Sequence, residues 1–154
     1  EVTGLLNRSE PEPEQALALL EPLSAEYPDI PGIQYNMGIA YLYMDDTLNA
    51  RRRFLRATEI DSSFTPAWIR LSFMAEEAGD LRGALDKVVA GLRYAPDDEA
   101  LVSRNINLLR SMGRYEEAIA LAEEAIRENG ESLPAYDALG MTYLEQAEQG
   151  SEGR

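Results

Sequence analysis

Residues 65–98 read TPAWIRLSFMAEEAGDLRGALDKVVAGLRYAPDD, and this stretch decides the fold of the 154-residue chain. It holds two segments with apolar residues at helical spacing, the first carrying Trp68 and Leu71 and the second Ala84 and Val88. Gly79-Asp80 separates the segments and Pro96-Asp97-Asp98 closes the second, and both are turn signals. The stretch therefore reads as two amphipathic helices folded into a hairpin.

Moving outward in steps of 34 residues reproduces the pattern across the chain. Gly38, Ser72, Ile106 and Gly140 form one such series, Ala16, Ala50, Ala84 and Ala118 a second, and Pro28, Ser62, Pro96 and Gly130 a third. Small residues at these places imply close helix contact: a small residue at position 8 of the first helix lets it approach the small residue at position 20 of the second. Bulky residues are expected to fill the remaining space, with Met37, Tyr41 and Phe54 in one frame, Trp68, Leu71 and Val88 in the next, and Tyr136, Leu139 and Tyr143 in the last.

Trp68, Leu71, Ala84 and Pro96, then Tyr136, Leu139, Gly140 and Tyr143, then Gly38, Tyr41, Ala50, Phe54 and Ala57 carry a resemblance to the tetratricopeptide repeat family over residues 12 to 148. The resemblance implies an all-α fold, a right-handed superhelical solenoid of antiparallel helical hairpins. The frames give a single domain with a partial repeat at 1–30, repeats at 31–64, 65–98 and 99–132, and a terminal helix at 133–148, expected to be part of a longer protein. Departures from the family pattern include Ser72 and Ile106 for Gly, Asn105 for Leu and Gly91 for Ala. Pro22 should kink or shorten a helix expected from Glu14 to Glu26, the Glu10-Pro11-Glu12-Pro13 stretch should be extended, and residues 1 to 8 form at best a short helix.

Composition narrows function. The formal net charge is -14, from 28 acidic and 14 basic residues, which opposes binding to nucleic acid or anionic lipid. The chain has neither cysteine nor histidine, so the commonest general base, zinc ligands and thiol nucleophile are missing. It also carries no phosphate-binding glycine loop and no nucleophile elbow. The reading assigns no catalytic residues, no metal and no cofactor. No apolar run approaches the roughly 18 to 20 residues of a membrane span, so this segment is expected not to insert. Paired acids such as Asp45-Asp46 and Glu76-Glu77 read as solvated turns and faces.

The resemblance implies a non-catalytic scaffold that binds a partner protein or peptide on a concave groove lined by the first helices. The residues at its groove positions are Tyr35, Asn36, Ile39, Leu42 and Tyr43, then Ile69, Arg70 and Phe73, then Arg104, Asn107 and Arg110. This wall grades from apolar-aromatic to arginine-rich, which suits a ligand with apolar side chains and an acidic or carboxylate end. The alternative for Arg70, Arg104 and Arg110 is an internal salt bridge to Glu76, Glu77 or Asp137. Asn36 and Arg104 are similar to the carboxylate-clamp subgroup, but Tyr35 and Ile39 stand where that subgroup has Lys and Asn, so chaperone-tail binding is not assigned. Two other readings stay open: the regulatory or substrate-presenting arm of a larger enzyme, and a homo-oligomer formed through the C-terminal helix. The basic run Arg51, Arg52, Arg53 and Arg56 reads either as a solvated face or as a grip for phosphate or an acidic partner.

Overall fold

The computed structural model describes residues 12–130 and 132–152, which excludes the short helix expected at 1 to 8. The described residues form eight helices and no strand: α1 (Pro13–Glu26), α2 (Pro31–Tyr43), α3 (Thr47–Ile60), α4 (Thr65–Glu77), α5 (Leu81–Leu92), α6 (Glu99–Ser111), α7 (Tyr115–Glu128) and α8 (Leu133–Glu152). The first helices begin at Pro31, Thr65, Glu99 and Leu133 and the second helices at Pro13, Thr47, Leu81 and Tyr115. Each series has the 34-residue spacing of the small-residue pattern.

The hairpin turns recur as closely as the helices do. Asp45, Gly79 and Gly113 have φ of 58°, 79° and 71°, the left-handed region where glycine is unstrained and Asp is among the better-tolerated side chains. After each comes a residue whose N–H reaches back five residues, Asp46 to Tyr41, Asp80 to Ala75 and Arg114 to Leu109, at 2.9 Å in all three. The left-handed residue's own N–H bonds the carbonyl three back, which completes a Schellman end and satisfies carbonyls the helix would otherwise leave bare. Asp46 and Asp80 then open the second helix by accepting the N–H of Asn49 and Gly83. The Asn49 hydrogen bonds hold the Asp46 carboxyl below its ordinary value. Arg114, at the corresponding place in the next hairpin, makes no cap and instead forks Glu117 at 2.7 Å through both oxygens.

The chain divides into two compact units, Glu1–Met74 and Ala75–Arg154. In the first, α1 packs on α2 through Ala16, Leu17, Leu20, Met37 and Ala40. A second cluster joins Ala50, Phe54 and Ala57 of α3 to Ala67 and Leu71 of α4, all at most 2% exposed. Trp68 Nε1 donates to the Ser62 carbonyl at 2.9 Å and ties the α3–α4 turn to the start of α4. In the second unit α6 packs on both α7 and α8, with Ile106, Leu109, Ala118, Ala122 and Ala138 at the centre. Aliphatic and alanine contacts at this spacing supply most of the stability of short helices that would be marginal alone.

Four local expectations are corrected. Pro22 does not shorten α1, which continues to Glu26; the proline is on an exposed turn, where the carbonyl it leaves unbonded can reach water. Pro13 is not extended but opens α1, a position that needs no N–H. A Cβ on Gly38 would lie 2.6 Å from the Phe54 ring, so the close neighbour at position 8 is the aromatic at position 24 and not the small residue at position 20. A Cβ on Gly140 would meet nothing within 4 Å among the described residues outside its own turn of helix, and Tyr136 and Tyr143 are 50% and 48% exposed. In the hairpin of α2 and α3 this face is filled by the second helix, and no second helix follows α8 among the described residues. α8 instead buries Ala135, Ala138 and Thr142.

Two predictions follow from this packing. Gly38→Ala should destabilise the protein by about 1–3 kcal/mol through overpacking against Phe54, whereas Gly140→Ala should stabilise α8 by about 1 kcal/mol. Urea titration of the two variants checks the contrast, and equal effects would refute it. Asn105 occupies the place held by Met37 and Leu71 in the earlier frames, and its Oδ1 is buried without a hydrogen-bond partner among the described residues. Asn105→Leu should therefore raise stability by about 1–2 kcal/mol, measured as a shift of the denaturation midpoint at unchanged slope.

Candidate functional site

The residues expected to bind a partner fall into both units and behave differently in each. In the first unit, Tyr35, Asn36, Ile39 and Leu42 on α2 and Ile69 on α4 are half-buried. Tyr35 is partly a core residue, because its ring lies 5.5 Å from Phe54 and 5.6 Å edge-on to Phe64. Its hydroxyl faces outward and accepts a long 3.4 Å hydrogen bond from Arg70 Nε. Arg70 is exposed and pairs with no carboxylate among the described residues. Tyr43 and Phe73 are 53% and 40% exposed, large apolar surfaces on the same two helices. The structure thus brings Tyr35 and Arg70 together and leaves aromatic surface exposed on both supporting helices.

In the second unit the cations are already engaged. Arg104 Nη2 meets Glu76 Oε2 at 2.6 Å, with only 10% of the arginine side chain exposed. Arg110 Nη1 meets Glu145 Oε1 at 2.7 Å, and its Nη2 makes a 3.4 Å contact with Asn107 Oδ1. Arg110 Nε is buried without an acceptor among the described residues. These pairs join α6 to the end of α4 and to α8, so their positive charge is used in holding helices together. Glu76 was among the acids expected to compete for these arginines. Glu145 was not, although it stands 35 residues after Arg110, one repeat and one residue further on, where an acid on the next first helix comes within reach.

Among the described residues no group of three His, Cys, Asp or Glu side chains is gathered as a metal site would require, and no helix is long and apolar enough to cross a membrane. The second unit also has a cavity of about 260 Å³ beside the α5–α6 turn, lined by Pro96, Asp97, Glu99, Val102 and residues at the end of α7. Asn129 Nδ2 closes one side of it by donating to Glu99 at 2.6 Å.

Residues 107–131 match the family model for the tetratricopeptide repeat. No curated protein sequence matches the chain. Among solved structures, residues 41 to the end of MamA from Desulfovibrio magneticus RS-1 superimpose with a TM-score of 0.69 at 20% identity, covering 97% of this chain and 84% of that one. YrrB, described as a TPR protein with an unusual peptide-binding site, gives a TM-score of 0.63 at 16% identity, covering 88% of this chain and 70% of that one. At these identities the likeness is one of fold. The chain therefore carries a tetratricopeptide repeat at residues 107–131 within a fold of the tetratricopeptide type.

Proposed function

We propose that the chain is a protein-interaction scaffold that binds a peptide with apolar side chains and one carboxylate, on the face formed by the first helices α2 and α4. The observation that carries this reading is Arg70, an exposed cation in a chain of net charge -14, held at the Tyr35 hydroxyl and paired with no described acid. Its guanidinium would receive the carboxylate, while Tyr35, Ile39, Leu42, Tyr43, Ile69 and Phe73 take the apolar side chains and Asn36 offers its amide to the peptide backbone. Arg104, Asn107 and Arg110 contribute less directly on this reading, because a ligand carboxylate would have to displace Glu76 or Glu145 to reach them. The tetratricopeptide-type fold supports the scaffold role in general, and the YrrB likeness supports a peptide as the ligand.

The test is calorimetric binding of members of a peptide array, chosen for apolar residues next to the C-terminus, each compared with its C-terminally amidated form. Arg70→Ala should weaken binding of the free-carboxylate peptide by about 1–3 kcal/mol, and the amidated peptide should bind equally weakly to wild type and variant. Phe73→Ala should weaken both forms. Arg104→Ala should behave differently, lowering stability by about 1–3 kcal/mol because it strands Glu76. Unchanged affinity in both Arg70→Ala and Phe73→Ala would place the binding surface elsewhere.

A further inference from the structure

A second feature of the first unit is independent of that face. Asn49, Arg52, Arg53 and Arg56 follow one another at helical spacing along α3 and line a single depression of about 260 Å³. Three guanidinium groups share this space in a chain with twice as many acids as bases. One acid borders it, because Asp46 Oδ2 accepts from Asn49 Nδ2 at 2.7 Å, but Asp46 pairs with none of the three arginines among the described residues. Arg56 meets Glu59 at 3.2 Å, an exposed pair with half of the arginine side chain in solvent, which is weak and easily exchanged. Arg52 has no hydrogen-bond or ion-pair partner among the described residues.

Arg53 is held by a neutral group. Its Nη1 donates to Gln34 Oε1 at 3.1 Å, and Gln34, 4% exposed, is itself fixed because its Nε2 donates to Ser24 Oγ at 2.7 Å. A buried carboxamide, itself held by a half-buried hydroxyl, therefore orients a cation without cancelling its charge, which preorganises it for an anion.

The fold does not ask for these arginines. The corresponding residues of α5 are Gly83, Asp86, Lys87 and Ala90, and those of α7 are Glu117, Ala120, Leu121 and Glu124. Only the place of Arg53 is basic again, as Lys87 of α5; neutral or acidic residues serve at the places of Arg52 and Arg56 in both later repeats. Concentrating like charge here is unfavourable in the empty state, and a bound anion relieves that repulsion. A single carboxylate supplies one negative charge and two oxygens. A phosphomonoester supplies about two charges at neutral pH and three strong acceptor oxygens, a better match to three planar guanidinium forks.

We propose that the depression lined by Asn49, Arg52, Arg53 and Arg56 binds a tetrahedral phosphate dianion, the group shared by inorganic phosphate, small phosphate monoesters and a phosphorylated side chain.

The test is calorimetric titration of the chain at low ionic strength with inorganic phosphate, with a phosphoserine peptide, and with the same peptide carrying serine or glutamate instead. Saturable one-site binding of the phosphopeptide is expected, with the serine peptide silent and the glutamate peptide much weaker. Arg52→Ala and Arg56→Ala should each reduce affinity by about tenfold, and the double variant should abolish binding. Circular dichroism and melting should be unchanged, since both side chains are exposed, and Arg82→Ala on α5 should bind as the wild type does. Between pH 7.5 and 5.5 affinity for the phosphopeptide should fall by about fourfold, because the second pKa of its phosphoserine is near 6 and only the dianion fraction binds well. Competition by inorganic phosphate would make the free oxyanion sufficient. Phosphopeptide binding without such competition, lost in the double variant, would assign the source to a phosphorylated partner. Either result supports the proposal. It is overturned if neither phosphate ligand saturates, if the double variant binds as tightly as the wild type, or if the glutamate peptide binds as well as the phosphopeptide.

Discussion

The reversal of backbone hand at Asp45, Gly79 and Gly113 is the constraint on which the hairpins depend. A left-handed residue there ends one helix with its last carbonyls satisfied, and at Asp45 and Gly113 the next helix packs back on the first, α3 on α2 and α7 on α6. Where that packing is close, at Gly38 and Phe54, the absence of a Cβ is what permits it. Two of the three reversals use glycine. The third uses Asp45, with the capping residue Asp46 next to it, so a dipeptide that reads as a solvated acidic pair is a turn and a helix start at once.

Electrostatics in this chain are decided by neighbours and not by totals. The arginines of α6 resemble those of α4 and α3 in sequence, yet they differ in what faces them. Arg104 and Arg110 meet Glu76 and Glu145 on adjacent helices and serve as ties between them. Arg70 meets a tyrosine hydroxyl, and Arg53 meets a glutamine. A cation with a neutral partner keeps its field, and a cation paired in a partly buried setting largely loses it. That difference separates arginines available for ligands from arginines that hold the fold.

The helices were legible in the sequence because they repeat: a spacing found four times over outweighs any single propensity. Pro22 shows the limit of local rules, since a proline on an exposed turn costs its helix one bond without ending it. Tyr136, Gly140 and Tyr143 show a different limit. Their residue types match the packed positions of earlier frames, but a residue is buried only if something is there to cover it. The candidate binding residues were legible as positions and not as states, because Tyr35 turned out to share its ring with the core while Tyr43 and Phe73 stayed exposed.

Sequence alone determined the helical class, the 34-residue period, the places of the turns and the absence of histidine and cysteine chemistry, because these depend on residue identity and spacing within short reach along the chain. Only the tertiary structure decided which arginines are neutralised, that Gln34 and Ser24 stand behind Arg53, and that Asn105 leaves an oxygen unpaired in the core. Those outcomes depend on distances between side chains that lie from 10 to 35 residues apart, and a few ångströms there separate an ion pair from an open charge.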